Sequence, residues 1–113
     1  MTLLERILVE EYFKREMLRQ ETLLKAKAAL KKLREKVFFE RAYIFGSIVR
    51  SGDYTFSSDV DIAFEGLESD KFFYAVAFLS AEIGKRVDVI ELEKAPIFLR
   101  NKIVKEGVLW KPD

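Results

Sequence analysis

The first third of the chain has the pattern of one long helix. Residues 2–37 contain neither Gly nor Pro. An apolar stripe at helical spacing runs along the second half of this segment: Leu23, Ala26, Leu30, Leu33 and Val37. A straight helix of this length spans roughly 50 Å, which exceeds the width of a domain of 113 residues. The helix is therefore expected either to bend near residues 15–22 or to project its first half.

The rest of the chain alternates short β-runs with helices. Strands are predicted at 41–45, 59–64 and 86–92, with helices at 69–83 and 96–105. Ser69 is expected to cap the first of these helices, and residues 108–110 form either a short strand or a packing tail. The predicted fold class is α/β (α+β), a small mixed sheet of three to four strands with flanking helices. We expect one domain over 1–113, comprising a helical segment 1–37 and a catalytic core 38–113.

Composition excludes several kinds of chemistry. The chain has no His and no Cys, so imidazole bases, Ser-His-Asp triads, thiol nucleophiles and disulfides are all unavailable. A net charge of +1 argues against a protein that holds nucleic acid mainly by charge. No segment has the length and apolar character of a signal peptide or membrane span. We expect a soluble, cytoplasmic protein.

Two aspartates interrupt an apolar run in the middle of the chain. Asp59 and Asp61 flank Val60 at the start of a predicted strand, so their side chains project from the same face. Asp is a poor strand former, and neighbouring carboxylates repel each other unless a cation lies between them. Solvent-facing aspartates on an edge strand are the simpler interpretation, but paired hard oxygen ligands favour Mg²⁺ binding.

A Gly-Ser turn precedes these acids. Gly46-Ser47 follows the first predicted strand and offers backbone N–H groups and a hydroxyl to a phosphate. Arg50 is close enough in sequence to reach the same phosphate, although such a residue is more often a surface charge. Ser58 is expected to orient the first aspartate. Asp88 lies within the third apolar run, where it either pairs with a neighbouring base or completes a three-acid cluster.

Together these residues resemble a known family. Gly46-Ser47, eleven residues, Asp59-Val60-Asp61 and a later Asp88 are similar to the motif of the minimal nucleotidyltransferases, the MNT branch of the polymerase-β-like superfamily. The resemblance covers roughly residues 23–110. It implies a nucleotidyltransferase-like fold with a long helix added in front.

The resemblance also implies roles for these residues. Ser47, with the backbone around Gly46, would hold the triphosphate of the incoming nucleotide, and we expect Arg50 and Ser58 to contribute to the same phosphate site. The three aspartates would bind two Mg²⁺ ions and act as the catalytic residues, with ATP as the substrate: Asp59, Asp61 and Asp88. The acceptor would be a hydroxyl, to which the enzyme transfers a nucleoside monophosphate. AMP, taken from ATP, is the expected group.

Small members of this family pair with helical HEPN toxins, for which they act as antitoxins. The resemblance therefore implies a HEPN-type partner protein, and the apolar first helix also allows a homodimer. A non-catalytic antitoxin that neutralises its partner by contact remains the alternative. Nucleic acid and membranes are not expected as partners.

Overall fold

The structure is a computed structural model that describes residues 1–113, and it contains a mixed β-sheet with helices on both faces. The helices are α1 (Leu3–Arg34), α2 (Phe72–Ile83) and α3 (Ile97–Glu106). The strands are β1 (Arg41–Phe45), β2 (Val60–Glu65), β3 (Val87–Glu91) and β4 (Val108–Trp110). None of the helices is both long enough and apolar enough to cross a membrane.

The four strands lie in the order β3-β2-β1-β4. β1 pairs antiparallel with β2 and with β4, whereas β2 and β3 run parallel and are connected through α2. The predicted mixed sheet is confirmed. Val108–Trp110 forms a strand rather than a packing tail, because its backbone pairs with the free edge of β1.

The two faces of the sheet are covered differently. α1 and α2 pack on one face and form the main core, whose largest fully buried members include Leu30, Leu33, Ile44, Ile62 and Leu79. α3 covers the opposite face, where a small buried cluster contains Tyr43, Ala63, Leu92 and Ile103. Because side chains alternate along a strand, successive residues of β1 and β2 point alternately into the main core and towards α3. The α3 face carries the smaller of the two buried clusters.

The first helix is continuous and projects from the body. Thr2 caps α1, since its Oγ1 accepts a hydrogen bond from the Glu5 N–H at 3.1 Å. The helix ends at Arg34, three residues before the predicted limit of 37. Residues 3–14, here called the N-terminal arm, are all exposed, and the molecule measures 55 Å along its longest axis. The sequence allowed either a bend near residues 15–22 or a projecting first half, and the first half of α1 projects.

Two boundaries differ from the sequence prediction. β2 begins at Val60, so Asp59 lies just before the strand rather than within it. The ladder starts where the Val60 N–H donates to the Arg86 carbonyl at 3.1 Å. Ser69 does not cap α2, because the chain makes a further turn through Asp70, at φ 65°, and the helix begins only at Phe72.

Candidate active site

Three strand ends meet at one edge of the sheet and carry the acidic residues. β1 ends at Phe45, while the parallel strands β2 and β3 begin at the same edge. In this register Asp61 lies opposite Phe45 on one side and opposite Asp88 on the other. Directly paired residues of neighbouring strands share a face and lie roughly 5 Å apart. Phe45, Asp61 and Asp88 therefore form a row across the sheet on its α3 face.

Asp59 stands next to this row and shares a cation with it, and we call Asp59, Asp61 and Asp88 together the acid row. The Arg86 Nε lies 3.4 Å from Asp88 Oδ1 and 3.8 Å from Asp59 Oδ2. Asp88 thus combines both interpretations raised by the sequence, a pair with a neighbouring base and a place beside the other acids. The Arg86 side chain is 76% exposed, so these contacts add little to stability and can exchange readily.

Asp61 is the most strongly perturbed of the three acids. Burial above all, together with the charges of Asp88 and Asp59, raises the pKa of its carboxyl from 3.8 to about 6, against a smaller opposing effect of Arg50. A half-buried carboxyl crowded by two others carries charge at neutral pH only at a cost. A cation placed among these groups would remove that cost, which makes this position a candidate functional site.

Gly46 is required by its contact with Asp61. A Cβ atom at position 46 would overlap Asp61 Oδ2, and the residue has φ +83°, a conformation that favours Gly. Gly46 begins a short 3₁₀ turn through Val49 in which no side chain caps the first backbone N–H groups. The glycine therefore brings bare backbone against the carboxylate, and Ser47 follows directly on the same turn.

The two other predicted phosphate ligands, Arg50 and Ser58, already have partners in the loop that follows the turn. Arg50 follows the 3₁₀ turn and forms an exposed ion pair with Asp53, at 2.8 Å between Nε and Oδ2. The Ser58 hydroxyl accepts a hydrogen bond from the Thr55 N–H at 3.0 Å, and its own N–H donates to the Thr55 carbonyl. Arg50 can turn from Asp53 to a stronger anion. Ser58, in contrast, holds the loop before Asp59 in shape.

The donor chemistry of the acid row fits a divalent cation. Carboxylate oxygens are the ligands that Mg²⁺ prefers. The pKa of Asp61 is raised by burial and, in second place, by the charges of Asp88 and Asp59, which a metal would neutralise. No three acidic, His or Cys side chains are gathered closely enough to form a ready metal-binding group. In this arrangement Arg86 is the cation that Asp59 and Asp88 face.

Two cavities flank the acid row. One, of about 800 Å³, lies between α3 and the turn that begins at Gly46. The other, of about 520 Å³, opens beside Asp59 towards α1 and is lined by three basic residues among others: Lys25, Lys85 and Arg86. Both cavities therefore open at the end of the sheet that carries the acids.

Residues 25–111 match the family described as Polymerase beta, Nucleotidyltransferase. The chain belongs to this nucleotidyltransferase family. The matched range contains the Gly46 turn and all three acids of the row, together with every strand of the sheet. No curated protein matches the chain.

Solved structures of similar fold include nucleotidyltransferases and toxin–antitoxin proteins. A chain of a toxin–antitoxin crystal structure with AMP-PNP is 24% identical, with a TM-score of 0.64 over 77% of this chain and 74% of that one. A chain of the toxin–antitoxin MntA-HepT is 23% identical, with a TM-score of 0.59 over 80% and 73%. A protein from Sulfolobus solfataricus, provisionally described as a nucleotidyltransferase, is 31% identical, with a TM-score of 0.51 over 82% and 83%.

A buried ion pair lies just outside the segment that matches the nucleotidyltransferase family. Glu16 on α1 is 8% exposed and accepts hydrogen bonds from Arg19, at 2.9 Å from Nη2, and from the Gly52 N–H, at 3.0 Å. The Arg19 Nη1 donates to the Ile48 carbonyl at 3.1 Å. These bonds hold the pKa of Glu16 below its usual value, with Arg19 the main cause. We call this pair the α1 latch, because it ties the helix to the segment that follows Gly46.

The sequence prediction missed the α1 latch and the residues of the larger cavity. Glu16 lies seven positions before Leu23 on the apolar stripe, and a charge on such a stripe was the available signal. Lys102, which lines the larger cavity from α3, offered no signal, since Lys at a helix surface is ordinary. The predicted acids and the Gly46 turn, in contrast, do lie together.

Proposed function

We propose that this protein is a Mg²⁺-dependent nucleotidyltransferase that transfers a nucleoside monophosphate to a protein hydroxyl. The observation that carries the proposal is the row in which Asp61 stands opposite Asp88, with Gly46 against its carboxylate. Family membership supports the reaction type. ATP is the favoured donor and AMP the transferred group, since one structural relative was crystallised with AMP-PNP. ATP also makes the cytoplasm the expected compartment.

Each site residue has a distinct part in the proposed reaction. Asp59, Asp61 and Asp88 would hold two Mg²⁺ ions, which when bound neutralise charge on the reacting phosphates. The turn of Gly46 and Ser47 binds the triphosphate through backbone N–H groups and the hydroxyl, and Arg50 leaves Asp53 to join them.

The chemical step is an in-line displacement at the α-phosphorus. The acceptor oxygen forms a bond to this phosphorus as the bond to the bridging oxygen of the β-phosphate breaks, and pyrophosphate leaves. The proton of the acceptor hydroxyl passes to the Asp88 carboxylate. Because Asp88 is half-buried and paired only with the exposed Arg86, it is the acid best placed to receive a proton from an incoming group.

We further propose that the acceptor belongs to a partner protein, a HEPN-type toxin, and that this chain is its antitoxin. Two toxin–antitoxin structures share the fold, though at an identity that supports only the fold itself. The N-terminal arm supports a protein partner more directly, because Leu4, Leu8 and Phe13 are 66%, 59% and 59% exposed. Large apolar side chains exposed together mark an interaction surface.

The experiment incubates the chain with α-labelled ATP, Mg²⁺ and the product of the adjacent gene. We expect label on the partner, loss of labelling with Asp59→Ala, and normal labelling with Asp113→Ala, a control at an exposed acid outside the site. Absence of label with every nucleoside triphosphate would refute the enzyme proposal.

The N-terminal arm also favours a second candidate, an antitoxin that neutralises its partner by contact alone. The two candidates separate in one measurement. If Asp59→Ala/Asp61→Ala still neutralises the partner fully, contact is sufficient and the acid row is not needed for that role. If neutralisation fails while the complex still forms, neutralisation depends on nucleotidyl transfer.

A further inference from the structure

The first helix contacts the loop after the Gly46 turn through residues that lie outside the family match. Tyr12, Glu16 and Arg19 follow one another at intervals of four and three residues, so they share one face of α1. Glu16 and Arg19 form hydrogen bonds to residues 48–52, and a Cβ atom at Gly52 would lie 3.4 Å from the Tyr12 ring. The match begins at residue 25, and these three residues therefore precede it.

The α1 latch binds the backbone on both sides of Arg50. Arg19 Nη1 donates to the Ile48 carbonyl at 3.1 Å, and Glu16 Oε1 accepts from the Gly52 N–H at 3.0 Å. The end of a helical turn leaves carbonyl groups without partners, and the guanidinium satisfies one of them. The backbone is thus tied to α1 two residues before Arg50 and again two residues after it.

The latch is well ordered and electrically neutral. Arg19 Nε lies 3.1 Å from each carboxylate oxygen of Glu16, and Nη2 lies 2.9 Å from one of them. Such a planar, charge-assisted contact fixes direction as well as distance. Because the two charges cancel, the pair acts on an anion through the loop that it holds rather than through a field of its own. The Arg50 side chain, in contrast, is 53% exposed and can turn.

We infer that Glu16 and Arg19 are positioning residues, which hold the backbone of Arg50 where its guanidinium can reach phosphates bound at the Gly46 turn. The inference rests on the proposed function, in which Arg50 leaves Asp53 for the triphosphate. An arginine on an untethered loop would lose backbone freedom when it binds a ligand. The latch removes that cost before the nucleotide arrives, so the first helix contributes to nucleotide binding.

Calorimetry with inorganic tripolyphosphate in Mg²⁺ tests the inference, because this ligand has phosphates and no nucleoside. Glu16→Gln is expected to weaken its binding about tenfold, the effect of one misplaced charge-assisted hydrogen bond. Arg19→Lys keeps the charge but not the planar fork, and the same loss is expected. Glu11→Gln is the matched control, since Glu11 pairs with Lys14 three residues along the same helix but is exposed; this variant should bind as the wild type does.

An Arg50→Ala background separates positioning from a general loss of structure. If the latch acts through Arg50, Glu16→Gln should weaken tripolyphosphate binding by less than about twofold once that arginine is absent. A structural defect would instead cause the same loss in either background. Circular dichroism checks that each variant is folded. If Glu16→Gln does not fold, Arg19→Lys serves for the same comparison, since it retains both charges of the pair.

Two results would overturn the inference while the proposed function stands. One is wild-type affinity for tripolyphosphate in folded Glu16→Gln or Arg19→Lys. The other is a loss of affinity that persists unchanged in the Arg50→Ala background. Failure of the wild-type protein to bind tripolyphosphate, or binding by Arg50→Ala as tight as that of the wild type, would instead refute the proposed phosphate site on which the inference depends.

Discussion

Asp61 carries a charge that the folded protein holds at a cost, so its removal should stabilise the protein. Asp61→Asn keeps the size and most of the hydrogen-bonding capacity of the side chain but removes the ionisable group. The cost arises because burial and the neighbouring acids Asp88 and Asp59 raise the pKa of the Asp61 carboxyl from 3.8 to about 6. The same substitution removes a proposed metal ligand and should abolish nucleotidyl transfer.

The magnitude follows from the pKa shift. Each pKa unit corresponds to about 1.4 kcal/mol, so a fully buried group with this shift would lose about 3 kcal/mol. Because Asp61 is half-exposed, solvent screening reduces this to roughly 1–2 kcal/mol at pH 7. For a chain of this size that change raises Tm by several degrees, about 3–5 °C per kcal/mol.

The sign of the pH dependence is fixed by linkage. Below pH 3.8 Asp61 is protonated in the folded and unfolded states, and its charge costs nothing. Between pH 3.8 and about 6 the unfolded state ionises first, so the free energy of unfolding falls as pH rises. Above pH 6 the cost is constant. The advantage of Asp61→Asn should therefore be absent well below pH 3.8, at about pH 3, and complete at pH 7.

Urea unfolding in EDTA at several pH values measures this effect. Trp110, the only tryptophan, packs against Phe39 at 5.4 Å between ring centroids and reports unfolding by fluorescence. Mg²⁺ should stabilise the wild type but not the variant. Asp113→Asn, at the exposed C-terminus, controls for loss of a charge alone. If Asp61→Asn were no more stable than the wild type at pH 7, the argument from desolvation would be wrong.

Three further predictions test the elements around the acid row. Gly46→Ala should lower the free energy of unfolding by about 2 kcal/mol or more, whereas Gly84→Ala, which has a similar φ but open space around it, should lose only about 1 kcal/mol in the same urea assay. Glu16→Gln should raise the KM for ATP more than it lowers kcat. The control Glu11→Gln, exposed on the same helix, should change neither constant. If the two variants had the same effect on KM and kcat, the latch would have no positioning role. Deletion of residues 1–10 should abolish association with the partner, or with a second copy, in light scattering while ATP affinity persists.

Most of the fold could be predicted because its signals are local. The apolar stripe defined α1, and alternation defined three strands whose order along the chain is confirmed. The misses also have local causes. Ser69 is a good capping residue, but the chain turns once more through Asp70 before α2 begins. Residues 108–110 could not be assigned from pattern alone, since a strand of three residues has too few positions to show alternation.

The acid row was predictable for a different reason. Asp61 and Asp88 each interrupt an apolar strand, and β2 and β3 proved to be parallel neighbours in equal register. The segment that matches the nucleotidyltransferase family, residues 25–111, contains both positions. Whether these acids bind metal remains a prediction, since the fold establishes only their proximity. The α1 latch was not predicted, because Glu16 becomes buried only when the turn at Gly52, far along the chain, folds against it.

The α1 latch also determines where the N-terminal arm leaves the body of the protein. Tyr12 lies at the base of the N-terminal arm, and a Cβ atom at Gly52 would lie 3.4 Å from its ring. The arm therefore leaves the body beside the loop that connects the Gly46 turn to the acids. Because α1 is one uninterrupted helix, a protein that grips the arm is held at a fixed distance from this loop rather than on a flexible tether. If the arm binds the proposed partner, the same helix would thus present it at the edge of the sheet where the acceptor hydroxyl is needed.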